Sequence, residues 1–308
     1  MSARLMCVLL GGLVTLGACR PASRNARLAE LAVREKRVAT GLATPTTDST
    51  RAQLLARWIL PRDLGEISGL ALTPDGWVYA HGDERGEVFL IDPRRGTVLK
   101  RFTVGTLDAE AQDDFEGMTL ADGRIFMVAS TGRLYEFAEG AADERVRFSA
   151  HDTQLEGKCE FEGVAYDATL QAFLLACKDV AGRALRDHLV LYRWRLPRSP
   201  GEPLEPLTIP LTTVIGTNPW KSLHPSDITV DPATGNYVIV AAQEKALIVI
   251  TPLGEVVRAT TLPGVHAQAE AIALTADGLL IVGDEATSRP ASLTLYRWPL
   301  AVTAPGPS

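Results

Sequence analysis

One motif recurs five times along the chain and restricts its fold more than any other feature. The segments "SGLALTPDG", "EGMTLADG", "EGVAYDATLQ", "SDITVDPATG" and "EAIALTADG" share a plan. A polar residue and a small or polar one precede alternating apolar residues, and a turn rich in Asp and Gly follows. The segments start at Ser68, Glu116, Glu162, Ser226 and Glu270, giving intervals of 48, 46, 64 and 44 residues. A period of about 40–50 residues is that of a four-stranded propeller blade. Further strand-like runs follow each start, as in "WVYAHGD", "EVFLIDP" and "TVLKRFTV" of the first repeat. Their Val, Ile, Leu and Tyr content marks strands, and turns with Asp-Gly or Pro separate them.

The pattern predicts an all-β domain, a five-bladed β-propeller of four-stranded antiparallel blades. The fifth repeat runs out after three strands near Leu300, yet an orphan strand, "LARWILP", stands before the first. Placed as the fourth strand of the last blade, this N-terminal segment closes the ring and covers its open edges. The long third interval contains "DVAGRALRD" and "PRSPGEPLEP". These read as loop insertions, because neither has enough alternating apolar residues for a sixth blade.

The first nineteen residues, "MSARLMCVLLGGLVTLGAC", have one arginine before an apolar run too short for a stable membrane span, the pattern of an export signal. The run ends in "LGAC", which resembles a bacterial lipobox. That resemblance implies a signal peptide over 1–18 and lipid on Cys19. Arg20 is not the aspartate of an inner-membrane retention signal, so the expected location is the periplasmic face of the outer membrane. The other reading is a cleaved secretory signal with an incidental cysteine.

Residues 19–53 are expected to form a lipidated tether, partly disordered or helical, with "ARLAELAVREKRV" as its helical candidate. The propeller is expected over 54–301 and a flexible tail over 302–308. Cys7 leaves with the signal. Cys159 and Cys177 flank one predicted hairpin, in a compartment where disulfides persist. They are either bridged or two buried thiols, and no CxxC or Cys/His cluster suggests zinc. A net charge of -6 and a pI near 5.5 argue against nucleic acid. Membrane association is expected through the lipid anchor only, and the chain is expected to be a monomer.

Residues two apart on a strand share a face. At the heads of the inner strands this gives one row of Glu66, Asp114, Glu160, His224 and Gln268. A second row holds Ser68, Glu116, Glu162, Ser226 and Glu270. Ile67, Phe115 and Phe161, of opposite parity, are free to pack between sheets. The returning second strands bring Asp83, Glu84, Lys178, Asp179, Gln243, Glu244, Asp284 and Glu285 to the same rim. Two like charges at 4 Å cost about 1 kcal/mol in water and about 4 kcal/mol at an effective dielectric of 20. Such a ring therefore needs protonation, paired cations or a metal. Oxygen donors without cysteine favour a hard ion, calcium ahead of magnesium. The expected ligands are Glu66, Asp114, Glu116, Glu160, Glu162, Glu270, Asp284 and Glu285. His224 and His81 read either as ligands or as hydrogen-bonding loop residues.

The motifs "ISGLAL", "DFEGMT", "FEGVAYD", "SDITVDP" and "QAEAIAL", with "GDE" ending the last blade's second strand, resemble the SdiA-regulated, YjiK-like propeller family, related to NHL-repeat and phytase-like propellers. The likeness runs from about Glu66 to Trp298. It implies a five-bladed propeller with bound Ca2+ and no established reaction. Carried residue by residue, it covers Glu66, Glu116, Glu162, Asp227 and Glu270 as acidic strand starts, which adds Asp227 to the metal set. Ala271 departs from the family's glycine.

Two functional readings follow. One is a lipid-anchored calcium-binding module for an unknown small molecule or protein. The other is a calcium-dependent hydrolase of phosphate esters or lactones, with Glu116 or Glu162 as base toward water. Cations to hold phosphate are few: Lys178, then Lys158, Lys221 and Lys245. That scarcity favours binding. There is no G-x-S-x-G elbow, P-loop, G-x-G-x-x-G or HExxH. The two "LYRW" segments, at 191–194 and 295–298, read as interblade packing.

Overall fold

A computed structural model describes residues 24–44, 52–197, 204 and 206–298. The expected signal peptide, Cys19 and the tail over 302–308 lie outside the described residues. The expected architecture is present: five antiparallel blades succeed one another around an axis. Blade 1 comprises Ile67–Leu72, Val78–Gly82, Glu87–Asp92 and Thr97–Val104. A short parallel strand, Arg145–Val146, is added at its outer edge. Blade 2 comprises Phe115–Ala121, Arg124–Ala129, Leu134–Phe137 and Phe148–His151. Blade 3 comprises Cys159–Asp167, Ala172–Val180, His188–Trp194 and Pro206–Pro210. Blade 4 comprises Asp227–Val230, Tyr237–Ala241, Ala246–Ile250 and Val256–Thr261.

Blade 5 has three strands of its own, Ala269–Leu274, Leu279–Asp284 and Ser292–Arg297. Its fourth strand is Gln53–Ile59, paired antiparallel with Ser292–Arg297. The chain thus closes its own ring, as "LARWILP" predicts. Among the described residues the third interval holds two short helical turns, Arg183–Leu185 and Leu211–Ile215, and no sixth sheet. Cys159 and Cys177, on the first two strands of blade 3, form a disulfide with Cα atoms 5.8 Å apart.

Five apolar clusters fill the five seams between blades. Phe115 and Phe161, fully buried, sit in the seams between blades 1 and 2 and between blades 2 and 3. Ile67 fills the closing seam between blades 5 and 1. Tyr192 and Trp194 pack in the seam between blades 2 and 3, and Tyr296 and Trp298 in that between blades 4 and 5. One parity of each inner strand is therefore spent on the core, and the other is left for the axis.

The heads of the inner strands share a further device. In blades 1, 2, 3 and 5 the ladder slips by one residue, between Ile67 and Gly69, Phe115 and Gly117, Phe161 and Gly163, and Ala269 and Ala271. The residue passed over is Ser68, Glu116, Glu162 or Glu270. A β-bulge re-aims the side chain of its extra residue, and here it does so four times in register.

The glycine that follows has a steric reason. A Cβ on Gly117 would lie 2.8 Å from Gly163 Cα, and one on Gly163 would lie 2.8 Å from Asp227 Cα. Backbone meets backbone there, so only glycine lets neighbouring inner strands close up. Gly163→Ala or Gly117→Ala is expected to destabilise the fold by about 1–3 kcal/mol through overpacking. Denaturant unfolding measures this, and a change within about 0.5 kcal/mol, the usual surface range, would contradict it.

Candidate functional site: an acidic channel mouth

The two predicted rows form two tiers at one end of the axis. Glu66, Asp114 and Glu160 are exposed at the outer tier. Glu116 and Glu270 are half-buried below them, and Glu162 is buried at 5% exposure. Electrostatic coupling runs round the mouth: Asp83 feels Asp114, Glu116 feels Asp114 and Glu162, and Glu162 feels Glu160 and Glu270. Glu285 completes the circuit by feeling Glu270, Asp83 and Glu66. Seven predicted residues, Glu66, Asp114, Glu116, Glu160, Glu162, Glu270 and Glu285, thus belong to one ring.

Burial, then the Glu162 and Asp114 charges, pushes the Glu116 carboxyl up to about 8, against Ser68 and Lys178. Ser68 Oγ donates to Glu116 Oε2 at 3.2 Å. Burial likewise pushes Glu162 up to about 7, with Lys178 opposing and Glu270 and Glu160 reinforcing. Glu285 and Asp83 are also raised, chiefly by burial. Gln268 Nε2 donates to Glu285 Oε2.

Among the described residues one cation is ion-paired with this ring, and Arg62 and Arg85 line the same rim as Glu66 and Asp83. Lys178 Nζ, from the second strand of blade 3, lies 2.6 Å from Glu162 Oε1 and 3.5 Å from Glu160 Oε1. Burial works against its charge, but the Glu162 hydrogen bond and the Glu162, Glu160 and Glu270 charges hold the ammonium above its usual range. Lys158, Lys221 and Lys245 make no ion pair with the ring among the described residues.

Asp227 and Asp284 are engaged by the framework around the ring. Asp227 stands at the position that glycine occupies in blades 1, 2 and 3, one residue past the acidic row, and is 1% exposed. Its Oδ1 accepts from Ile228 N at 2.8 Å and its Oδ2 from Ile272 N of blade 5 at 2.7 Å. Burial raises its carboxyl well above the ordinary value, against those two amides and with the Glu270 charge of the ring adding to it. It ties blade 4 to blade 5. Asp284, 3% exposed, accepts from His266 Nδ1 at 2.8 Å and Ala267 N at 3.1 Å, with Arg57 at 3.8 Å. It anchors the approach to blade 5 and the closing N-terminal strand.

The two ambiguous histidines separate clearly. His81 is fully buried between blades 1 and 2, edge-on to Phe115, and donates from Nδ1 to Gly82 O at 2.8 Å. Burial lowers it to about 4, so it is neutral, with Nε2 against the inner-strand backbone at Gly69 and Gly117. His224 does reach the mouth. Its Nδ1 meets Glu244 Oε1 at 2.8 Å, and its backbone N donates to Oε2 at 3.1 Å. This leaves Nε2, 4.0 Å from Asp179 Oδ1, as the ring nitrogen without a hydrogen bond. His224 lines a cavity of about 260 Å³ together with Lys178, Ser226, Gln243, Gln268 and Glu270. The opposite mouth is a cavity of about 140 Å³ between Leu70, Leu120, Tyr166, Val230 and Leu274, with Thr119 and Thr229 also on its wall.

The carboxylates suit a hard cation chemically but do not form a calcium cage as arranged. Among the described residues no three His, Cys, Asp or Glu side chains converge to hold a metal ion. Glu162 already grips an ammonium and Glu116 a hydroxyl. The inner tier holds more carboxylates than Lys178 pairs with, while Arg62 and Arg85 stand beside Glu66 and Asp83 at the rim.

Residues 214–297, which span blade 4 and the three C-terminal strands of blade 5, match the family described as SdiA-regulated. No curated protein matches the chain significantly. The PQQ-bound aldose sugar dehydrogenase of Streptomyces coelicolor superposes with a TM-score of 0.51 at 11% identity, over 80% of this chain and 97% of its own. A catalytically inactive virginiamycin B lyase of Staphylococcus aureus, bound to quinupristin, gives 0.43 at 16% identity, over 73% and 65%. At such identities these likenesses concern the fold alone.

The raised carboxyls have a consequence for stability. Between the ordinary 4.5 and about 8, the folded state holds a proton on Glu116 that the unfolded chain has released. Stability from this group therefore falls as pH rises through that window. The gain in Tm of Glu116→Gln over the parent is expected to grow by a few degrees from about pH 5 to about pH 8.5 in cation-free buffer. A gain that is level or shrinks across that range would contradict the burial and crowding of Glu116.

Proposed function

We infer that this propeller, SdiA-regulated in sequence over 214–297, is a binding module whose acidic mouth takes up a positively charged group. Lys178 carries the reading: an ammonium held 2.6 Å from Glu162, inside a ring with carboxylates to spare. Either an ammonium-bearing ligand or a divalent cation would supply the missing positive charge, and charge would draw both to the mouth. The adjoining cavity adds His224, Ser226, Gln243 and Gln268 as hydrogen-bonding groups for the rest of a polar ligand. The export signal and lipid on Cys19 complete the proposal, placing the module at the periplasmic face of the outer membrane.

The hydrolase reading has one observation in its favour, the proton that Glu116 keeps near neutral pH. Metal-assisted attack on a phosphate would also need cations to hold the substrate, and Lys178, the lysine that reaches the ring, is already paired with Glu162. No catalytic step is therefore derived.

Calorimetric titration with Ca2+ and with putrescine separates the two kinds of cation. Glu162→Gln and Glu270→Gln are each expected to weaken the cation that binds by about tenfold or more. Lys178→Met is expected to strengthen it, by removing the resident competitor. Binding of neither probe, or binding indifferent to all three changes, would overturn the assignment. Turnover of generic phosphoesters or lactones that Glu116→Gln abolishes would make the protein an enzyme.

A further inference from the structure

A second recess opens beside the carboxylate ring, where blades 5 and 1 meet. It is a cleft of about 520 Å³, walled by the turn Arg62–Leu64, by Gly65 and Glu66 leading into blade 1, and by residues 82–85 leaving its second strand. Ala286 of blade 5 closes it, donating from N to Gly65 O at 2.7 Å. Glu66 and Asp83 belong to both cleft and ring, so the two are continuous. The volume is that of a small-molecule site.

The charges that line the cleft are not spent on one another. Asp63 and Glu87 are both taken by Arg101, whose Nη1 lies 3.4 Å from Asp63 Oδ2 and 3.2 Å from Glu87 Oε1. Burial raises the Glu87 carboxyl, and of the two guanidinium groups opposing it Arg101 outweighs Arg85. Arg62 and Arg85 are exposed, and their side chains make no ion pair or hydrogen bond among the described residues. Glu66, Asp83 and Glu84 likewise pair with no cation among the described residues. Two guanidinium groups and three carboxylates therefore line one recess without neutralising each other. Exposed charges out of contact gain little from their neighbours and stay open to a ligand.

We propose that this cleft is the anion-binding half of the ligand site, and that the ligand carries both an ammonium and a carboxylate. The ammonium enters the ring beside Glu66, Asp83 and Glu285, and the carboxylate is taken by Arg62 and Arg85. The assignment rests on the cation-binding role of the acidic mouth and adds the second charge that the ligand must bear. A guanidinium presents paired N–H donors that match the two oxygens of a carboxylate. A dianionic phosphate fits less well, because Glu66, Asp83 and Glu84 would repel its second charge. Glu285, raised chiefly by burial, also feels Glu270 of the inner tier and Asp83 and Glu66 of the cleft, so the two halves share one field.

Net charge gives the test its contrast. An acidic mouth alone prefers a diamine, with two positive charges, to an amino acid of the same length, whose charges cancel. Titration calorimetry of the full-length protein compares putrescine with γ-aminobutyrate, and cadaverine with δ-aminovalerate. At least one amino acid is expected to bind as tightly as its matched diamine or more tightly. Arg62→Gln and Arg85→Gln are each expected to weaken that amino acid by about tenfold and to strengthen the diamines. A damaged fold would weaken every probe, so the opposite signs mark direct contact. Diamines ahead in both pairs, or amino acids indifferent to both arginine changes, overturn the assignment and leave the cation-binding mouth standing. If no probe binds, mouth and cleft fall together. Binding of an amino acid that needs the arginines yet ignores Asp83→Asn and Glu285→Gln makes the cleft a plain anion site, which also overturns the two-charge ligand.

Discussion

The close approach of five inner strands around one axis governs the rest of the structure. Between blades 2, 3 and 4 the backbones come so near that a single Cβ at Gly117 or Gly163 would strike the next strand. The one-residue bulge before each glycine turns the preceding side chain toward the axis. Packing and charge are thereby joined. The geometry that closes the ring also brings Glu116, Glu162 and Glu270 together from three blades, and burial adds the cost of keeping them charged.

The two ends of the channel differ as a result. One is lined by Leu70, Leu120, Val230 and Leu274 together with Thr119 and Thr229, and among the described residues no charged side chain lines it. The other gathers carboxylates in two tiers, with Lys178 as internal counterion and His224 held in orientation by Glu244. A half-buried ammonium among carboxylates is a compromise: it relieves Glu162 and leaves Glu116 and Glu270 less well served. A ligand bringing its own positive charge would meet a site already shaped for one.

Much of this was legible in the sequence. Alternation and the Asp-Gly turns mark the blades, and the orphan strand before the first repeat marks the closure. The parity of Phe115 against Glu116 separates core from axis. Asp227 was misplaced because the likeness to acidic strand starts ignored a one-residue offset: aligned on Ser226, it falls where Gly117 and Gly163 stand. Asp284 has the right parity and the right rim, but its partner His266 lies in an irregular segment that no periodicity exposes. The helix Arg24–Ala43 read as a tether because its apolar face is thin. It docks through Val38, an arginine over Trp58 and a surface ion pair, contacts that hydropathy does not register.

The central claim is that glutamates from successive blades share one buried, negatively charged mouth. Site-resolved carboxyl titration by NMR tests it most directly, with Glu116 observed in the cation-free protein. The account predicts an apparent pKa near 8 that moves down when Glu162 is replaced by glutamine. An ordinary value near 4.5, unmoved by that change, would mean that the carboxylates stand apart in solvent and that the mouth is no site at all.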